Sequence, residues 1–531
     1  MEEGNNGPTI PEEQDTKQQL LVLIGGIPSM TQESKGTALK WIFHGTIVVP
    51  TGNPFFLERM FDDDVTNPAD DCVWLGPGLK LLTNHVLTVN IHGIIVNLGP
   101  IDSVIVTAAA KESAILVELS SREFLCPGMI DLHIHAPQYA YTGTATDRPL
   151  MGPGGWLETY TFPAEQRLRD DLERAERVYQ SVVQTTLQAG TTTAVYFATL
   201  DLEPCKVLVD ATIENGQRAL VGKVCMDRYS PLTYCQTLEQ NLQETTALID
   251  YIHTKAGKEK DQSLLPKVLP LITPRFIPTC SPPLLTALGE LADLHNCHIT
   301  SHISESVDEV AFSRHLDATE DLQDNVGRTD AAIFDSHKLL SNRCIMAHGV
   351  HLSESDLDLM KQKGAAVAHC PLSNFFFAGG SLQCRRLMER GNKVGLGTDI
   401  AGGYSPSLLN SSRMAVVASR ALEHEAIARK DDCTGSDQVL DYRHAFYLAT
   451  LGGAQALGLE DSIGTLAVGF EFDAIVLSAE VPSPLQVFDT DGVEDIFQKL
   501  CVLGDDRNVK SVYVQGCQVK VECNNNKRSR Q

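Results

Sequence analysis

The stretch "PGMIDLHIH", residues 127–135, is an apolar run that ends in two histidines, His133 and His135. In a β-strand the side chains of residues i and i+2 point to the same face, so the two imidazoles would lie side by side. Two imidazoles placed in this way can share one metal ion. The alternative is a polar strand end with two unconnected histidines, and the spacing alone leaves both interpretations open.

Outward from this stretch, short apolar runs alternate with helix-like segments through residues 127–463. Two of the helix-like segments are "RAERVYQSVVQTTLQAG", where Gly190 is a predicted C-cap, and "PPLLTALGELADLHN", where two prolines fit a helix start. The eight predicted strands are "GMIDLHI", "TTTAVYFA", "RALVGKVCM", "VLPLITPRF", "CHITSHIS", "CIMAHGV", "AAVAHCP" and "KVGLGTD". This alternation predicts an α/β fold, a (β/α)8 barrel, although a doubly wound sheet also alternates.

Three further predicted strands carry chemically active side chains where they end. His302 and Glu305 follow one apolar run, His348 ends another, and Asp399 follows "VGLGT". Catalytic groups of barrel enzymes gather at the carboxyl ends of the strands, so we expect these side chains to meet. Histidine nitrogens and a carboxylate are the ligands of catalytic zinc, and a nearby Glu305 could move protons. For His369, in "AHCPLSN", both a supporting role and simple packing remain open.

The two flanks of the barrel region have a different pattern. Short β-branched runs alternate with turn residues on both sides, which predicts a small β-sandwich domain built from both chain ends. One strand pair is expected around a turn at His92 and Gly93, and "FDDDVTNPADDCVWLGPG" is interpreted as an irregular acidic loop. The predicted division is a disordered polar arm (1–36), an N-terminal β-sandwich segment (37–126), the barrel (127–463), a C-terminal β-sandwich segment (464–523) and a polar tail (524–531).

Composition narrows the class of partner. The 531-residue chain has 68 acidic and 43 basic residues and a formal net charge of −25, which disfavours nucleic-acid and membrane-surface binding. The 14 cysteines form no CxxC motif, which is typical of a reducing compartment. The apolar "LLVLIGGI" is too short to span a bilayer, and no basic segment precedes it. We therefore expect a cytosolic protein, and its net charge does not disfavour a small uncharged ligand.

Several motifs, taken in order, resemble the zinc-dependent amidohydrolase superfamily: "PGMIDLHIH", "SHISE", "MAHG", "AHCPLSN" and "GLGTD". Other stretches are similar to its guanine-hydrolysing members: "HAPQYAYTGTATDRPL", "YTFPAE", "GTTTAVYFAT", "GKVCMD", "TPRF", "GLGTDIAGGYS", "ATLGGAQALGL" and "LGDDRNV". The likeness runs from about residue 120 to 518, and the combination of "HAPQY", "TPRF" and "SHISE" is its most specific portion. The arm and the 62–80 region look longer than the family needs.

The resemblance implies a distorted, TIM-like (β/α)8 barrel with a flanking β-sandwich, one zinc ion per chain and, by analogy, a homodimer. It implies hydrolysis of guanine to xanthine and ammonia, a step of purine catabolism, by attack of activated water on C2. Glu305 would shuttle protons, and His348 and Asp399 would orient and deprotonate the water. Carried over by position, the zinc ligands are His133, His135, His302 and Asp399.

The base-binding residues implied by the resemblance are Gln138, Arg275 and Phe276, beside His135, His302, Glu305 and Asp399. Guanine presents O6 and N7 as adjacent acceptors, which match the fork of an arginine. A glutamine amide offers both a donor and an acceptor, and Phe276 offers apolar contact to a flat ring. On spacing alone, Arg275 could equally form a salt bridge at a strand end.

Two other functions remain open at this point. One is a different amidohydrolase, acting on a triazine, a cytosine-like ring or an adenosine-type compound. The other is a catalytically inactive scaffold. The presence of all six metal-site and proton-transfer residues argues against it. The zinc deaminases that act on nucleic acids are disfavoured, because the P-C-x-x-C signature is missing and the chain is acidic.

Overall fold

The computed structural model of the protein describes residues 38–54, 72–75, 78–104, 113–144, 147–256, 264–321, 327–429 and 439–520. The predicted disordered arm (1–36) and polar tail (524–531) lie outside the described residues, as does most of the predicted acidic loop. In the described portion of that loop, residues Cys72–Trp74 form a short strand, where the sequence predicted irregular structure.

A sheet of eight parallel strands forms the centre of the molecule, and each strand pairs with the next one along the chain. All eight predicted strands are confirmed, with bounds that differ by one to three residues. They are β7 (Met129–His135), β8 (Thr191–Phe197), β9 (Arg218–Cys225), β10 (Val268–Pro274), β11 (His298–Ile303), β12 (Cys344–His348), β13 (Ala366–His369) and β14 (Lys393–Leu396).

The first and last strands of this sheet approach each other just beyond β14. Asp399 N donates to His133 O at 2.8 Å, and His135 N donates to Ile400 O at 3.1 Å. Asp131 on β7 also accepts from Thr398, from the backbone N at 3.0 Å and from Oγ1 at 2.5 Å. These bonds bring the two edges of the sheet together, as the predicted (β/α)8 barrel requires.

Helices separate the barrel strands. The helix Pro282–His295 begins at the two prolines, as predicted, and Ser281 Oγ accepts from Leu284 N at its N-cap. The other α-helices are Phe162–Asp170, Leu172–Gln188, Leu202–Asn215, Leu238–Ala256, Val307–Leu316, Asp330–Ser336, Glu354–Lys363, Pro371–Ser373, Cys384–Arg390, Leu408–Arg429, Tyr442–Ala449, Leu451–Leu457 and Val493–Leu503. Among the described residues, none of them combines the length and apolar composition that a membrane crossing needs.

A second, nine-stranded sheet is built from both ends of the chain, as predicted. Its strands are β1 (Leu39–Pro50), β2 (Cys72–Trp74), β3 (Leu79–Asn90), β4 (Ile95–Pro100), β5 (Ile115–Glu118), β6 (Glu123–Pro127), β15 (Ala474–Ser478), β16 (Val509–Val514) and β17 (Cys517–Lys520). The central strands β6 and β15 pair antiparallel although they are far apart in the chain, which joins the two flanks. The predicted strand pair around His92 and Gly93 is present as β3 and β4.

The two sheets are joined by a buried charge cluster. Arg218, the first residue of β9, donates to Glu471 Oε2 at 2.6 Å and to Asp473 Oδ2 at 2.8 Å. All three side chains are at most 5 % exposed. Gly128 N also donates to Asp473 O, so the start of β7 is fixed to the second sheet. The position of the barrel strands therefore depends on both ends of the chain.

Candidate active site

The side chains that the sequence singled out meet at the carboxyl ends of β7, β11, β12 and β14. His135 Nε2 lies 3.0 Å from His302 Nε2, and Asp399 Oδ1 lies 3.3 Å from His133 Nε2 and 3.4 Å from His135 Nε2. These four residues each offer one ligand atom, and all four atoms lie within 4.8 Å of one another. This arrangement could hold a single metal ion.

The three histidines of this group are held in the neutral form, which is the form that can bind a metal ion. Burial lowers the pKa of His133, His135 and His302, and repulsion among the rings lowers the pKa of the latter two further. Neutral imidazole is the form that binds metals. His302 Nδ1 lies 2.6 Å from the carbonyl oxygen of Arg275, which leaves Nε2 to face the group, whereas buried His133 Nε2 has no hydrogen-bond partner among the described residues.

Asp399 is the carboxylate of this group. Burial by itself would raise its pKa, but the adjacent imidazoles of His133, His348 and His135 outweigh burial and hold the pKa below its usual range. Asp399 is therefore ionised at neutral pH. Gly397, two residues before Asp399, has no room for a side chain, because a Cβ there would lie 2.9 Å from Cys370 Sγ and 3.0 Å from His133 Cβ.

A second set of groups shares Asp399. His348 Nε2 lies 3.6 Å from Glu305 Oε1 and 3.8 Å from Asp399 Oδ2, while its Nδ1 lies 3.0 Å from Asn374 Oδ1. His348 and Asp399 both have left-handed backbone conformations, at φ 71° and 49°. Residues other than glycine in that region are strained, and such strain is concentrated at functional sites.

Glu305 has the properties of a proton carrier. Burial raises the pKa of its carboxyl group to about 7, although His348 acts in the opposite direction. A pKa near neutrality lets a side chain both give and take a proton at working pH. Its backbone N donates to Glu309 Oε2 at 3.1 Å, so the position of Glu305 is set from outside the cavity.

Gln138 and Arg275 lie in the same cavity, but a residue that the sequence analysis missed binds both of them. Arg275 donates from Nη1 and Nη2 to the two carboxylate oxygens of Glu165, at 2.9 and 3.3 Å. Gln138 Nε2 donates to Glu165 Oε1 at 3.3 Å, and its Oε1 accepts from Ala401 N at 3.1 Å. Arg275 thus forms the salt bridge that the sequence left open and also lines the cavity.

The cavity encloses about 410 Å³ of empty space, some of it open to solvent. Phe276 lines it, as expected, and Trp156 and Phe377, whose ring centroids lie 4.9 Å apart, add aromatic surface. His369 is buried outside the metal-binding group, and burial lowers its pKa to about 3, so its ring is neutral.

Comparison with known proteins agrees with this geometry. Residues 124–519 match the model of the amidohydrolase family. A curated guanine deaminase from Mus musculus is 41 % identical over 456 residues, which cover 84 % of this chain and 94 % of that protein. One from Dictyostelium discoideum is 40 % identical over 411 residues, covering 77 % and 85 %.

A solved structure is similar over most of its length. The crystal structure of guanine deaminase from C. acetobutylicum, with guanine bound in its active site, superposes with a TM-score of 0.74 at 28 % identity. The superposition covers 91 % of this chain and all of that one. The superposition therefore includes both the barrel and the second sheet.

Proposed function

The chain belongs to the amidohydrolase family, and we propose that it hydrolyses the C2 amine of guanine to give xanthine and ammonia. The observation that carries the proposal is the position of Gln138 and Arg275 in the same cavity as the His/Asp group. One end of the cavity can bind the edge of a purine, and the other end can hold a metal ion. Curated guanine deaminases about 40 % identical to this chain support that choice of substrate.

We propose that the cavity holds one Zn²⁺ per chain. Its ligands would be the four residues whose atoms converge: His133, His135, His302 and Asp399. When bound, zinc supplies Lewis-acid chemistry and lowers the pKa of water to about 7. The neutral imidazoles and the ionised Asp399 are the donor set that such an ion requires.

Proton transfer in the reaction is assigned to three side chains. Asp399 and His348 orient the attacking water and accept its proton. Glu305, whose pKa is about 7, gives a proton to N3 of guanine, takes up the proton of the hydroxyl group added at C2, and passes it to the departing amine. The proton held by Asp399 and His348 then returns to Glu305, whose Oε1 lies 3.6 Å from His348 Nε2. Each transfer leaves Glu305 ready for the opposite one, because its protonated and ionised forms are similarly populated near neutral pH.

The base is held by its edge and by its faces. Arg275 donates to O6 and N7, and the Gln138 amide, fixed by Ala401 and Glu165, pairs with a ring N–H or exocyclic group. Phe276 contacts the ring, while His135, His302, Glu305 and Asp399 border the reacting carbon. Adenine carries a donor where guanine carries O6, so these donors would reject it by up to about 10⁴–10⁵.

Several properties beyond the reaction belong to the same proposal. We propose a cytosolic homodimer of purine catabolism, with barrel residues 127–463 flanked by one β domain from residues 37–126 and 464–523. The likeness to guanine deaminases and the −25 formal net charge support a small-molecule enzyme without nucleic-acid or membrane partners.

The test is incubation of the purified full chain with guanine while xanthine and ammonia are measured, with and without a chelator. We expect stoichiometric formation of both products, loss of activity after chelation, and recovery with Zn²⁺. A parallel panel of adenine, adenosine, cytosine and an aminotriazine measures ammonia release. If one of these reacts faster than guanine, the substrate assignment is wrong, and if none reacts in the metal-loaded protein, the chain is an inactive scaffold.

A further inference from the structure

Glu165 has no role in the proton transfers, yet it is the most fully hydrogen-bonded side chain at the base-binding end of the cavity. It is completely buried and accepts from Arg275 Nη1 and Nη2, from Tyr234 Oη at 2.6 Å and from Gln138 Nε2. A carboxylate has about four acceptor positions, and four donors fill them here. Glu165 therefore acts as an ionised acceptor whose negative charge lies beside Arg275.

The contacts of Arg275 are fixed on two sides. One edge of its guanidinium pairs with both oxygens of Glu165, and one face lies 5.0 Å from the ring centroid of Phe162. Arginine has five N–H donors, so three remain to meet other groups in the cavity that it lines. The base-binding end thus offers N–H donors to a ligand while the positive charge is cancelled by a buried neighbour.

We infer that Glu165 is a positioning and specificity-determining residue: it holds Arg275 and Gln138 in place and keeps the base-binding end neutral, so that uncharged purines bind in preference to anionic ones. The inference rests on the proposed function, in which guanine is a neutral substrate. Xanthine loses a proton more readily than guanine, so a neutral binding end also favours departure of the product.

Without Glu165, the positive charge of Arg275 would be uncompensated at the base-binding end. A buried guanidinium without its carboxylate would attract any anion strongly, because charges in a protein interior are poorly screened. The same donors that bind O6 and N7 would then hold anionic purines more tightly than guanine. The bidentate pairing with Glu165 removes this attraction but leaves the donors in place.

The experiment compares two purines that are not substrates for deamination, neutral hypoxanthine and anionic urate. Their affinities are measured by calorimetry on the metal-loaded full chain at one pH near neutrality, for the wild type and for Glu165→Gln. We expect the preference for hypoxanthine over urate to shift towards urate by at least about tenfold in Glu165→Gln, since a unit charge is uncovered. Weaker binding of both purines in parallel would show that Glu165 is only a scaffold and would overturn the inference.

Two further variants serve as controls. Glu165→Asp keeps the charge and should keep the hypoxanthine preference even if both affinities fall. Tyr234→Phe removes one hydrogen bond to Glu165 without changing its charge and should also keep the preference. If either control shifts towards urate as far as Glu165→Gln does, geometry and not charge sets the selectivity, and the inference is wrong.

A measurement on the wild type decides the question if Glu165→Gln does not fold. Xanthine affinity relative to hypoxanthine is measured at a pH below and a pH above the ionisation of xanthine. We expect relative xanthine affinity to fall as xanthine becomes anionic, and a rise would overturn the inference. Because these readouts are binding affinities, they stand apart from guanine turnover, whose absence would contradict the proposed function instead.

Discussion

Glu305 lines the same cavity as the metal-binding group and Arg275, and its carboxyl is the group to which we assign proton transfer. Glu305→Gln keeps the size and polarity of the side chain but removes the exchangeable proton. We expect turnover of guanine to fall by about 10²–10⁴ with metal content unchanged, as measured by ammonia release and elemental analysis. Exposed Glu173→Gln is the matched control and should be fully active. Near-normal turnover in Glu305→Gln would assign the proton transfer to another group.

The raised pKa of Glu305 also predicts a dependence of stability on pH. Burial raises this pKa from 4.5 to about 7, so the folded chain keeps a proton that the unfolded chain has lost between these values. The contribution of Glu305 to stability is therefore complete below about pH 4.5 and falls as pH rises through 7. The quantity to compare is the free energy of unfolding of metal-free Glu305→Gln minus that of the metal-free wild type. We expect this difference to be about 3 kcal/mol larger above pH 7 than at low pH.

Denaturant unfolding in chelator at pH 5 and pH 8 measures this difference. Asp131 and Asp330 also have raised pKa values, but Glu305 is not among the causes of those shifts, so they cancel in the comparison. The pKa of Glu309 is raised by burial and in part by repulsion from Glu305, and the loss of that repulsion in Glu305→Gln changes the comparison in the same direction. A difference between variant and wild type that does not change with pH would show that Glu305 titrates normally.

The segment that follows β11 (His298–Ile303) carries Glu305 into the cavity, and a second buried carboxyl holds this segment. Ser304 has a left-handed backbone at φ 46°, and both its N and its Oγ donate to Asp330 Oδ2, at 2.9 and 2.8 Å. Asp330 begins the helix Asp330–Ser336, so two elements of the barrel together position the segment that carries Glu305.

Asp330→Ala should therefore slow the reaction without emptying the metal site. It leaves the N–H and hydroxyl of Ser304 without acceptors, which costs about 1–3 kcal/mol of stability, and it frees Glu305 to move. A displacement of about 1 Å can cost 10²-fold in rate, so we expect kcat to fall towards that value while KM changes little. Asp335 is on the same helix as Asp330 and pairs at the surface with Lys363 of the helix Glu354–Lys363, so Asp335→Ala is the control. A change confined to KM would contradict this role.

At the level of elements, sequence patterns predicted the barrel well. All eight strands are where the alternation of apolar and helical runs places them, because parallel strands buried on both faces need continuous apolar runs. The short strand Cys72–Trp74 was missed, because the acidic and proline-rich residues around it are typical of a loop, although it pairs antiparallel with β3 (Leu79–Asn90), the next strand along the chain.

At the level of the whole molecule, stability depends on the link between the two sheets. Arg218→Ala would leave Glu471 and Asp473 buried without their counter-charge, so we expect a loss of about 3–5 kcal/mol in the free energy of unfolding. Guanine turnover per folded molecule should change little, since Arg218 lies at the opposite end of β9 from the cavity. Denaturant titration measures the loss, and Arg507→Ala, in an exposed pair with Asp505, is the control. Equal stability of the two variants would mean that the link is dispensable.

The sequence by itself determined the order of the barrel strands and the histidines and carboxylates that follow them. Side-chain alternation along a strand and the common direction of parallel strands are local rules, so they placed His133, His135, His302, His348 and Asp399 together. Only the tertiary structure decided the partner of Arg275, because Glu165 lies 110 residues away on another element and no pattern in either segment indicates the pair. Burial likewise set the pKa of Glu305, since desolvation depends on every element that covers the carboxyl group.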